Sequence, residues 1–174
     1  MRKLFVVIPI SLIAVFLATD ATAAGRNVRA RLAPTEEVPA LSTNGQGVFA
    51  ATFSVDREEL TYELSYADLQ GMVAQSHLHL GQRSVNGGIS IFLCTNLGNG
   101  PPGTQACPPA PATISGTLTA ADVIGPDSQG IDAGEWEEIR EAIEDGVVYV
   151  NVHTDLFPGG EIRGQLRMSR RHGH

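Results

Sequence analysis

The stretch VFAATFSVDREELTYELSY, residues 48 to 66, decides the fold class. Its first half places Phe49, Ala51, Phe53 and Val55 on one face. Its second half places Leu60, Tyr62, Leu64 and Tyr66 on one face and Thr61, Glu63 and Ser65 on the other. Side chains of a strand point alternately to opposite faces, so a sustained period of two predicts half-buried strands. The polar run from Val55 to Leu60 reads as the hairpin connection between them.

The same reading extends outward in both directions. VRARL (28–32), AQSHLHL (74–80), GISIFLC (88–94), TISGTL (113–118), VVYVNVHT (147–154) and GEIRGQLRM (160–168) are further strand candidates separated by turn-rich segments. One segment breaks the pattern. In DAGEWEEIREAIEDG (132–146), Trp136, Ile139, Ala142 and Ile143 recur at helical spacing, with Asp132 as the expected cap and Gly146 as the stop. Roughly eight strands and a single short helix predict an all-β domain, an antiparallel sandwich or barrel.

Composition bounds the rest. The chain has 174 residues and a formal net charge of −7. It opens with Arg2 and Lys3, an apolar run from Leu4 to Ala18, and the small residues Ala21-Thr22-Ala23. This is the order of a secretory signal spanning residues 1–23, and it predicts a secreted or periplasmic product with no membrane span after cleavage. The apolar run is short for a span and is interrupted by Pro9. An acidic chain lacks the basic footprint that nucleic acid requires. Residues 24–168 then form one domain, and 169–174 a disordered polar tail. Cys94 and Cys107 bracket most of a Gly/Pro-rich segment, and in an exported protein a disulfide is the simplest reading, two soft metal ligands the other.

Little of the remainder looks like chemistry. No G-x-S-x-G elbow or H-E-x-x-H motif is present. Glu36 and Glu37 are expected to be solvated in a loop, and Glu161 and Arg163, two apart on a strand, to form a structural ion pair. The exception is His77 and His79, which a strand places on one face about 7 Å apart. His153 shares its own strand face with Tyr149 and Asn151. Three neutral imidazoles suit copper or zinc and suit oxygen-seeking ions poorly. The alternative is that all three hydrogen-bond inside the fold without metal.

The motifs ARLAPTEEVPAL, SHLHLG, NGGISIFL, SGTLTAADV and GVVYVNVHTDLFPGGEIRGQL occur in the order of a CHRD domain, and from Val28 to Leu166 the chain resembles that chordin-type family. The resemblance implies a Greek-key fold, superoxide-dismutase-like or immunoglobulin-like. It implies a non-enzymatic binding or interaction module of the cell envelope or extracellular space, with a protein or envelope partner. SHLHLG and VNVHTD resemble the dismutase copper strands, yet no histidine lies between His79 and His153 to bridge a second metal. The alternative function is therefore a mononuclear copper- or zinc-binding protein using His77, His79 and His153. Its affinity is expected to fall as pH drops through the histidine range.

Overall fold

A computed structural model describes residues 26–169. The expected leader (1–23) and most of the expected tail, residues 170–174, lie outside the described residues. The alternating segments form β1 (Asn27–Leu32), β2 (Gln46–Phe53), β3 (Leu60–Ala67), β4 (Val73–Leu80), β5 (Gly88–Thr95) and β6 (Ala112–Leu118). The helix α1 (Trp136–Glu144) follows, then β7 (Val148–Thr154), β8 (Ile162–Gln165) and the two-residue β9 (Arg167–Met168). Val55 lies beyond the end of β2 and is exposed, because the chain turns after Phe53.

The strands make two antiparallel sheets, in the orders β6-β3-β2-β1-β9 and β5-β4-β7-β8. The return of β6 beside β3 and of β7 beside β4 gives the Greek-key crossings. Of the two architectures that alternation allowed, the sandwich forms and the barrel does not. At Leu166 the chain passes from β8, paired with β7, to β9, paired with β1. The isolated Ala33–Arg163 bridge joins the two sheets at that corner.

Between the sheets lies an apolar core from Val28, Leu32, Phe49, Phe53, Leu60 and Leu64 on one side and Leu78, Ile91, Val150 and Ile162 on the other. Trp136, Ile139 and Ile143 of α1 join it, with Trp136 edge-on to Phe53 at 6.4 Å. Asp132 does not cap this helix. Glu135 stands at the N-cap and its carboxylate instead accepts from the Asp132 backbone N–H at 2.7 Å. Gly146 ends it at a φ of 72°. The Cys94–Cys107 disulfide is formed and ties the loop after β5 back to that strand.

The outer face of the four-stranded sheet is unusual for a strand pattern that alternates. Every residue of β7 and β8 is buried, on both faces. The outward side chains Tyr149, Asn151, His153, Arg163 and Gln165 are polar or aromatic, yet they lie beneath loops. Glu37 and Gly160 meet over Asn151, while Gln82, Val85, Asn86 and Gly87 bond to Arg163, Tyr149 and His79. A polar layer sealed in this way must satisfy its groups internally or leave them for a ligand.

Candidate metal centre

His77 and His79 leave β4 on its outer face, where β7 sets Asn151 opposite His77 and Tyr149 opposite His79. His153 lies opposite Gln75, so it is the diagonal neighbour of His77. On the other side of β4, pairing with β5 shifts register between Ser76 and His77 and again between Leu78 and His79. Such bulges re-aim side chains and are frequent beside functional sites.

The three histidines converge. Their exposures are 0, 7 and 6 % for His77, His79 and His153, and one ring nitrogen from each lies within 4.8 Å of the others. His77 Nδ1 stands 3.1 Å from His153 Nε2. His153 Nδ1 is 2.9 Å from the Pro158 carbonyl, and His79 Nδ1 is 3.0 Å from the Gly87 carbonyl. A carbonyl only accepts, so both Nδ1 atoms carry the proton and both Nε2 atoms carry a lone pair. His77 Nδ1 therefore donates to His153 Nε2, and its own Nε2 also holds a lone pair. His77 Nε2 and His79 Nε2 have no partner.

Burial keeps these rings neutral. Removal from water pulls His77 down to about 2, with His153 and His79 adding to the effect. It pulls His79 down to about 4, against the Gly87 carbonyl, and lowers His153 as well. The edge of Phe92 packs 4.4 Å from the His77 ring, and Tyr149 stacks on His79 at 4.8 Å. The Arg163 guanidinium sits 3.4 Å from the Tyr149 centroid.

The donor set fits copper or zinc. Bonds of about 2.0–2.1 Å to three imidazoles put the nitrogens about 3.3–3.5 Å apart. The 3.1 Å His77–His153 spacing is close to this but carries the His77 Nδ1 proton, so ligation there moves that proton to Nε2. The widest spacing, within 4.8 Å, must close by about 1 Å or more. Main-chain carbonyls orient two of the rings, as outer-shell partners of metal-bound histidines do. Two more buried oxygens nearby lack partners, Asn151 Oδ1 and Glu37 Oε1. Burial raises Glu37 to about 7, with Arg163 pulling the other way. Asp155, the acidic residue closest to His153 in sequence, instead accepts from the Met72 N–H at 2.7 Å.

Two expectations are corrected here. Glu37 is buried, 6 % exposed, because the loop carrying it folds over the sheet; Glu36 pairs with Arg83 at 2.6 Å. Glu161 and Arg163 do not pair with each other. Glu161 accepts from Gln70 N, Gly71 N and Thr154 Oγ1, while Arg163 donates to the Gln82 and Val85 carbonyls and to Asn86 Oδ1. The Gly87 and Pro158 carbonyls carry no sequence signal, since every residue has one. Gly164 beside Arg163 is held close to β1, where an added Cβ would stand 2.5 Å from the Arg31 carbonyl oxygen. That glycine permits the close approach of β1 on one side of β8, while the arginine is buried on the other beneath the loop of Gln82, Val85 and Asn86.

Among the described residues, no helix is long and apolar enough to cross a membrane. Neither a curated protein nor a solved structure matches the chain. The family model of the CHRD domain matches residues 28–166, and the chain belongs to the CHRD domain family.

Proposed function

We propose that this CHRD domain is an exported metal-binding module that holds one copper or zinc ion with His77, His79 and His153. One observation carries the reading: three buried, neutral imidazoles meet with their lone pairs unused or shared only among themselves. The leader and the disulfide support export to an oxidising compartment. The folded rings stay neutral below the ordinary histidine range, so metal and proton compete at lower pH than the sequence alone suggests. Elemental analysis of untagged protein, with His172 and His174 removed, is expected to give one copper or zinc per chain. His77→Ala, His79→Ala and His153→Ala should each weaken uptake at least tenfold. Uptake that survives all three substitutions contradicts the site.

A second reading, an interaction module that works through its surface, is supported by the family and by the face opposite the histidines. The two readings are compatible, because the polar layer and the outer face of the five-stranded sheet lie on opposite sides of the sandwich.

A further inference from the structure

Three hollows of about 630, 510 and 280 Å³ lie side by side on the outer face of the five-stranded sheet. Arg29 is shared by the first and third, and Arg31 and Val48 by the first and second. Together they make a stepped trough across the strands from β9 to β6, with Val48 standing between the first and second hollows. Small outward residues on the way, Ala50, Ser65 and Ser115, keep its floor low. Five strands at about 4.8 Å spacing make it roughly 19 Å long, the reach of an oligomer rather than a single small ion.

Its charge is uneven. Arg29 and Arg167 stand opposite each other in the β1–β9 ladder, and Arg31 projects from the same face two residues along. All three are exposed. Among the described residues they have no carboxylate partner, whereas Arg26, Arg57, Arg83 and Arg140 each pair with a glutamate. Arg163 is buried on carbonyls. Like charges facing each other in a ladder cost stability. In a chain of net charge −7, the unpaired described arginines are thus gathered at one end of one trough. Glu63 lies toward the other end, and Glu36 is held by Arg83.

We propose that this trough binds an anionic polysaccharide, with Arg29, Arg31 and Arg167 on its carboxylate or sulfate groups. Guanidinium pairs bidentately with such groups. Along the rest of the floor Ser115 offers a hydroxyl, and the hydroxyl oxygen of Thr52, which donates its proton to Asn27, can accept from a sugar hydroxyl. Tyr62 and Tyr66 point into the core, so among the described residues the trough offers no aromatic platform for stacked bases. Three cations are also too few for a phosphate-backbone footprint.

The test uses the untagged protein in affinity electrophoresis and calorimetry against polygalacturonate, dextran sulfate, neutral dextran and poly-L-glutamate. Binding to polygalacturonate would assign carboxylate, and binding to dextran sulfate alone would assign sulfate. Either should weaken at least tenfold in Arg29→Gln/Arg31→Gln/Arg167→Gln, and with added salt in the wild-type chain. Arg26→Gln/Arg57→Gln/Arg140→Gln removes as much charge elsewhere and should bind normally; melting curves establish that both triple variants are folded. No binding to either acidic glycan, equal loss in both triple variants, or equally tight binding of poly-L-glutamate would overturn the proposal.

Discussion

His77 has lone-pair chemistry available and no solvent to use it on, and that condition sets the acid behaviour of the whole site. The pKa values of His77 and His79 lie near 2 and 4 in the fold, below the unfolded 6.5. Under pH 6.5 the unfolded chain therefore binds more protons than the folded one. The stability these rings permit is present above 6.5 and is lost as pH falls toward 4, by about 1.4 kcal/mol per pH unit for each ring that stays neutral. Glu37 has the opposite sign. Its folded value of about 7 lies above the unfolded 4.5, so its contribution is present below 4.5 and is lost as pH rises through 7. Urea denaturation of the metal-free protein should accordingly show a decline from pH 6.5 to 4.5. Glu37→Gln should raise stability at pH 8 by roughly 2 kcal/mol and change it little at pH 4.5. A flat acid limb, or no gain from Glu37→Gln, would contradict this assignment. The sharing of a face by His77 and His79 was legible in their spacing, since strand geometry alone dictates it. Glu37 was not legible, because a loop residue's burial depends on where the loop is laid down.

At the scale of elements, alternation located the strands because each has one face in the core. It located β7 and β8 as well, but not the loops that cover their polar outer faces. The helix was legible from Trp136, Ile139, Ala142 and Ile143, all buried. Its cap was legible only in part: Glu135 reaches back to the Asp132 N–H as their spacing suggests, but the helix begins after Glu135 and no side chain caps it. The cysteine loop joins β5 to β6, strands in different sheets, and the disulfide fixes its first part against β5. Replacing Cys94 and Cys107 together by alanine should cost roughly 3 kcal/mol in the loop-entropy model. Chemical denaturation against the oxidised protein measures this, and a loss well under 1 kcal/mol would mean that the loop is held by its other bonds. Those include Asn96 Nδ2 to the Val73 and Cys107 carbonyls, both at 2.9 Å.

The whole molecule presents two differently built sides. One outer face is sealed, polar and lined by imidazole; the other is open, shallow and carries unpaired arginines. Both rest on one apolar core, so a substitution on either face leaves the other intact, and the metal and glycan tests separate cleanly. The convergence of His153 on His77 needed the order of the family's motifs as well as strand alternation, because only the Greek-key crossing brings β7 beside β4. Metal binding requires three neutral rings to offer nitrogen lone pairs to one point. Long-range 1H–15N correlation of the histidine rings at pH 7, with and without one equivalent of Zn(II), tests it most directly. The account predicts Nδ1-protonated His79 and His153 in the metal-free protein, with their Nε2 signals and one His77 nitrogen shifting together on zinc addition. Nε2-protonated rings, or zinc that leaves these three residues unchanged, would contradict it.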